Sequence, residues 1–144
     1  MAVNVEVETV IRRPRELVSQ YAADPTNAPA WYANIESVSW QTPPPVQIGS
    51  RLEFVAHFLR RRLVYTYEIA ELVPRERLVM RTADGPFPME TTWQELDPVR
   101  TRMTLRNRGE PAGFSRLAAP VMEQAMRRAT TKDLQRLKGI LENS

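Results

Sequence analysis

The sequence predicts an α+β fold, in which a seven-stranded antiparallel sheet is closed on one face by a long C-terminal helix, with two short helices after the first strand. Three observations carry this prediction. Between Val3 and Arg108, seven stretches of strand length are rich in β-branched, aromatic and alternating apolar residues. In the second half of the chain their separators are short and made of turn formers or dense charge: Arg60-Arg61-Arg62, Pro74-Arg75-Glu76, Asp84-Gly85-Pro86 and Asp97-Pro98. Short connections make successive strands antiparallel neighbours. From Phe114 to Leu141 the period changes to that of a helix. Phe114, Leu117, Ala118, Val121, Met122, Ala125, Met126, Ala129, Leu134, Leu137 and Leu141 share one face at i, i+3, i+4, i+7 spacing. A helix of that length must bury its stripe, and the sheet is the large surface available to it.

The elements follow in order. Val3, Val5 and Val7 alternate with Asn4, Glu6 and Glu8, the period of a half-buried strand that runs to Ile11. Pro14 opens a short helix with Leu17, Val18 and Tyr21 on its apolar side, and Asp24-Pro25 stops it because a residue before proline avoids helical dihedrals. A second short helix over Asn27 to Ala33 carries Trp31 and Tyr32. Ile35 to Trp40 is the next strand, ended by Pro43-Pro44-Pro45, which cannot donate ladder hydrogen bonds. Five further strands are expected at Arg51 to Phe58, Leu63 to Leu72, Arg77 to Thr82, Met89 to Leu96 and Thr101 to Arg108. Pro120 falls inside the helical stripe. Either the true helix starts there or the helix kinks, and both place Gly113 and Phe114 at a hinge.

The 144 residues suit a single domain, 1–144, with one core. Apolar residues at 42% and charged residues at 26% are globular proportions, which excludes a disordered chain. The chain has no cysteine, so disulfides, thiolate metal sites and cysteine nucleophiles are excluded. Alternation at the start differs from a secretory signal, and no stretch approaches the ~20 apolar residues of a membrane span. A cytoplasmic protein without membrane insertion is expected. The net charge of +3 rests on arginine clusters, Arg60 to Arg62 and Arg127-Arg128. They are interleaved with acids and lack stacking platforms, so they read as a solvated surface and not as a nucleic-acid site. His57 is the single histidine, which rules out a multi-histidine metal centre, and it alternates with solvent-facing Arg51 and Glu53. No phosphate loop, dinucleotide fingerprint or metal-ligating cluster is present, so no cofactor is implied.

Asp24-Pro25 with Asn27 and Trp31, Gly49-Ser50-Arg51, Pro74 with Arg77-Leu78, Gly85-Pro86-Phe87-Pro88, Thr92-Trp93, Thr101-Arg102-Met103-Thr104 and the closing helix together resemble the START-like (SRPBCC) superfamily. The branch they resemble is the bacterial polyketide cyclase/dehydrase type. The resemblance spans essentially the whole chain and implies the helix-grip fold, with a hydrophobic cavity between a curved sheet and the last helix. It implies a small hydrophobic partner, polyketide-like or lipid-like, which some members transform by cyclisation or dehydration and many only carry. The chain departs from the pattern at Asp97 to Arg100, where Pro98 replaces the usual glycine-containing hairpin.

On this reading the ligand-binding candidates are Phe54, Phe58, Tyr65, Tyr67, Met80, Met89, Trp93 and Met103 on the sheet, and Phe114, Leu117, Val121, Met122 and Met126 on the helix. Alanine and methionine on the helix leave room and adapt to irregular shapes. Tyr65 and Tyr67 offer hydroxyls to a ligand oxygen, or else reach the rim and meet water. Glu95 shares a strand face with Trp93. Buried, its carboxyl would exchange protons near neutrality; with a bulge or strand end before Leu96, it would sit in solvent. Three functions are expected in turn: binding of a small apolar ligand by a monomer or homodimer, a cyclase or dehydratase using Tyr65, Tyr67 or Glu95, and a protein-interaction module docking through a sheet edge or the Arg60 to Arg62 turn.

Overall fold

A computed structural model describes residues 3–58, 60–82, 89–109 and 119–143. The elements run β1 (Val3–Ile11), α1 (Arg15–Ala23), a 3-10 turn (Pro25–Asn27), α2 (Ala28–Trp31), β2 (Ile35–Trp40), β3 (Arg51–Phe58), β4 (Arg61–Val73), β5 (Arg77–Thr82), β6 (Met89–Asp97), β7 (Arg100–Gly109) and α3 (Ala119–Glu142). Every expected strand is present. The second short helix is divided: Asp24 Oδ1 accepts the Thr26 N–H at 3.0 Å and nucleates the 3-10 turn, and α2 follows as a single turn.

The strands form one sheet in the order β1-β7-β6-β5-β4-β3-β2, with each neighbouring pair antiparallel. Apart from the β1–β7 contact, each strand pairs with its sequence neighbour, as short connections require. Bulges at Ile35/Ser37, Ile69/Glu71 and Glu95/Asp97 break the register and bend the sheet. The hairpin with Pro98 is tight. Asp97 Oδ1 accepts the Val99 N–H at 2.9 Å, and Arg100 Nε binds Asp97 Oδ2 at 2.7 Å, so a side chain closes the turn that glycine usually serves.

One face of the sheet is continuous and apolar because register brings like positions together. Leu52 lies opposite Tyr67, Phe54 opposite Tyr65 and Ala56 opposite Leu63; Met80 pairs with Ile69 and Met89, and Trp93 with Met103. Leu134, Leu137 and Leu141 of α3 close on this face together with Ile11, Val18 and Trp31. The buried side of α3 comprises Met122, Met126, Thr130, Asp133, Leu134, Leu137 and Leu141. It is turned relative to the predicted stripe: Ala125 and Ala129 are only partly covered, and Thr130 and Asp133 lie inside. Pro120 stands in the first turn of α3, where a missing N–H costs no helical bond.

The helix is also tied to the free edge of the sheet. β1 is an edge strand, and its even-numbered residues turn main-chain groups away from β7. α3 side chains meet them along its length. Glu123 accepts the Asn4 N–H (2.9 Å), Arg127 donates to the Glu6 carbonyl (2.9 Å), Lys138 donates to the Val10 carbonyl (2.7 Å) and Glu142 accepts the Arg12 N–H (2.8 Å). These contacts satisfy groups that would otherwise template strand addition. At the last turn Lys138 Nζ lies 2.6 Å from Glu142 and Arg12 Nη2 3.3 Å from it.

Chiefly through the Lys138 hydrogen bond, aided by Arg12, the Glu142 carboxyl is held down to about 2 from an ordinary 4.5. A depressed folded-state pKa contributes stability that is present above the unfolded value and lost as pH falls through the folded one. Glu142→Gln is therefore expected to lower stability at pH 7 by about 1–2 kcal/mol. The deficit relative to the parent should narrow between pH 4.5 and 2. Urea denaturation of both proteins across that range checks this, and a pH-independent gap would contradict it.

Candidate functional site

The interior between sheet and helix is apolar at one end and mixed at the other. The contiguous core includes Leu134, Leu137 and Leu141 of α3, whereas Met122 and Met126, 2% and 9% exposed, are buried apart from that cluster. Thr130 and Asp133, 7% and 5% exposed, stand between the two sets along the helix. Polar residues on a buried face oppose the hydrophobic effect and require partners.

Asp133 has one such partner in the main chain of the segment after α2: its Oδ1 accepts the Ala33 N–H at 3.0 Å. Desolvation outweighs that hydrogen bond and the nearby Arg136 charge, and raises the carboxyl from 3.8 to about 6. Beside it stands Tyr32. Its N–H bonds the Ala28 carbonyl (2.8 Å), its carbonyl takes the Ile35 N–H (3.2 Å), and its ring stacks on Trp31 with centroids 3.8 Å apart. The Tyr32 hydroxyl donates to Met89 Sδ at 3.4 Å. Burial, then the charge of Asp133, then Tyr67 and Tyr65, push Tyr32 far above the usual tyrosine range. Tyr67 is pushed up by burial and by Tyr65, and Tyr65 by burial. The three phenols are thus neutral hydroxyls at any physiological pH, able to donate and accept hydrogen bonds. Edge-to-face contacts of Tyr67 with Phe54 (5.1 Å) and Tyr65 (5.4 Å) hold the two β4 rings in place.

Of the sequence candidates, Phe54, Tyr67, Met80, Trp93, Met103, Met122 and Met126 are buried, and Tyr65 and Met89 are half-buried. Tyr65, Tyr67, Met89 and Asp133 are brought together around Tyr32. The backbone of Phe58 ends β3 opposite Arg61, its side chain lying outside the described residues. Phe114 and Leu117 also lie outside them.

Two candidates are corrected. Val121 is 55% exposed, because the buried side of α3 passes through Met122 and Met126 and leaves Val121 on the flank. Glu95 is exposed: the bulge between Glu95 and Asp97 falls where β6 leaves the core, and the carboxyl stays in water. His57 is exposed as expected, with Nε2 3.1 Å from Glu36. Tyr32 and Asp133 were not among the expected site residues. Asp133 had a legible signal: it is seven residues from Met126 and four from Leu137, so helical geometry puts it on the apolar face. Among the described residues no cluster suited to a metal ion is found, and no helix is long and apolar enough to cross a membrane.

A bent antiparallel sheet with one long helix against its concave apolar face defines the helix-grip fold. The chain belongs to the family described as polyketide cyclase/dehydrase and lipid transport, whose model matches residues 2–142. Solved structures agree on the fold. The Zhui aromatase/cyclase from Streptomyces sp. R1128 superposes with a TM-score of 0.80 at 19% identity, over 99% of this chain and 94% of that one. A START superfamily protein from Mycobacterium smegmatis gives 0.82 at 12% identity, over 97% of each chain. Major latex-like protein 151 from Panax ginseng gives 0.76 at 10% identity, over 96% of each. No curated protein matches the sequence.

Burial of Asp133 makes a second pH signature. Its folded-state pKa is raised, so its contribution to stability is complete below 3.8 and is lost as pH rises through about 6. Asp133→Asn keeps an acceptor for the Ala33 N–H and removes the charge. The variant should gain about 2–3 kcal/mol on the parent between pH 4 and 7. Parallel stability curves for the two proteins in that range would refute the buried charge.

Proposed function

We propose that the protein binds a small, largely apolar molecule, polyketide-like or lipid-like, between the sheet and α3. The observation that carries this reading is the group formed by Tyr32, Tyr65, Tyr67 and Asp133: polar side chains set within an apolar and methionine-rich wall. Such a wall offers large apolar area for affinity and few polar groups for orientation, as small-molecule sites do. Met122 and Met126, buried outside the contiguous core, supply a face that repacks around different shapes. The aromatase/cyclase and lipid-transport descriptions of its relatives are consistent with a ligand of this kind.

Asp133 favours a second reading, an enzyme of the cyclase or dehydratase type. A buried carboxyl poised near 6 is suited to take or return a proton at neutral pH, with neutral tyrosines as hydrogen-bond donors to a carbonyl. In this reading Asp133 takes the role that exposure denies to Glu95. Turnover of a linear poly-β-ketone thioester that disappears in Asp133→Asn and persists in Glu95→Gln would support it. Equal turnover in both variants would exclude Asp133 as the acid or base.

Binding itself is tested with the purified protein. Native mass spectrometry is expected to show a co-purifying small molecule, or N-phenyl-1-naphthylamine to fluoresce on addition. Tyr67→Phe should keep the fold and weaken binding of 2-naphthol about three- to tenfold through loss of one hydrogen bond. Absence of both a co-purifying molecule and probe fluorescence would overturn the proposal.

A further inference from the structure

Three successive residues after α2 begins to end, Trp31, Tyr32 and Ala33, each carry a hydrogen-bond donor into the interior, and the donors fare differently. The Ala33 N–H reaches Asp133 Oδ1 at 3.0 Å. The Tyr32 hydroxyl reaches Met89 Sδ at 3.4 Å, a thioether and so a weak acceptor. The Trp31 indole N–H, on a side chain 2% exposed, has no hydrogen-bond acceptor among the described residues. Stacking does not supply one. The Trp31 and Tyr32 rings are inclined by only 29° with centroids 3.8 Å apart, and in that arrangement the indole N–H lies in its own ring plane and does not point at the tyrosine face. A buried donor left without an acceptor is costly, and folded proteins hold few of them. Trp93 carries a second such donor, on a side chain 4% exposed. It stands opposite Met103 and four residues beyond Met89, about 13 Å along β6 from the residue that Tyr32 reaches.

We propose that Trp31 is a specificity-determining residue, its indole N–H donating to a neutral acceptor oxygen of the ligand, a ketone or ester carbonyl, beside the Tyr32 hydroxyl. The inference rests on the ligand-binding reading above and names the group that the ligand presents to this part of the wall. A carbonyl suits the place. Its oxygen has two lone pairs, enough for the indole and for a phenol that exchanges a thioether for a stronger acceptor. A hydrocarbon of the same shape would leave the buried donor unmet. An anion would be repelled by the Asp133 carboxylate, which borders Tyr32. The indole is already buried and stacked, so receiving the oxygen costs little ordering.

The test uses two probes of one shape, 2-acetylnaphthalene and 2-isopropenylnaphthalene, in which a carbonyl oxygen takes the place of a methylene. Each displaces N-phenyl-1-naphthylamine from the full chain. Trp31→Phe keeps an aromatic ring against Tyr32 and removes the donor. It should weaken the ketone about five- to tenfold relative to the hydrocarbon. The chain has three tryptophans, so nitrogen–proton NMR of the indoles reports each donor separately, with Trp40→Phe and Trp93→Phe assigning the signals. In the unsubstituted protein the Trp31 indole proton is expected to move downfield with the ketone and not with the hydrocarbon, a readout that does not require Trp31→Phe to fold. Equal weakening of the two compounds in Trp31→Phe, or a Trp31 signal that responds alike to both, would overturn the inference and leave the ligand-binding reading intact. A ketone-specific shift confined to Trp93 would do the same. Failure of both compounds and of the fluorescent probe to bind would overturn both.

Discussion

The open edge of β1 sets where α3 lies. An edge strand presents amides and carbonyls that must be hydrogen-bonded, and here Glu123, Arg127, Lys138 and Glu142 of one helix meet those of Asn4, Glu6, Val10 and Arg12. The four contacts fix the helix in rotation and in register along the strand. Rotation decides which residues of α3 face the sheet. With the polar side committed to β1, the face through Met122, Met126, Asp133 and Leu137 has only the interior to occupy.

That commitment carries Asp133 inward. Its carboxyl is retained there by the Ala33 N–H, which ties α3 to the segment connecting α2 and β2. The same segment presents Tyr32, held on both sides by main-chain hydrogen bonds and stacked on Trp31. Across from it, Tyr65 and Tyr67 project from β4, fixed by contact with each other and with Phe54. The polar group is thus assembled from three elements distant in sequence, each restrained independently. Groups restrained in this way can meet a ligand without paying much ordering entropy.

Sheet and helix are bonded differently at their two ends. Toward Leu134, Leu137 and Leu141 the layers meet through aliphatic side chains in a sealed core. Toward Met122 and Met126 they meet through flexible thioethers, a threonine and an aspartate. Close packing of branched aliphatics resists intrusion, whereas methionine adapts at little cost.

The strands and their pairing were legible because period-2 alternation and short turns act locally; the boundaries of β2, β3 and β5 agree with those read from the chain. The family was legible too, since its turn residues are spread over the same elements. Much of the apolar wall followed from alternation, as Phe54, Tyr67, Trp93 and Met103 illustrate. What periodicity lacked was the rotation of α3. Val121 and Asp133 are both compatible with an amphipathic helix, and only the hydrogen bonds to β1 turn one out and the other in. Glu95 was placed by alternation on the face of Trp93, and its register with Thr101 keeps that alternation, yet it is the last residue before the β6 bulge and is exposed. The sequence by itself determined which segments are strands, which is the closing helix and which apolar residues they bury. Tertiary structure alone decided which polar residues join them inside, because that depends on hydrogen bonds between elements that the chain brings together only when folded.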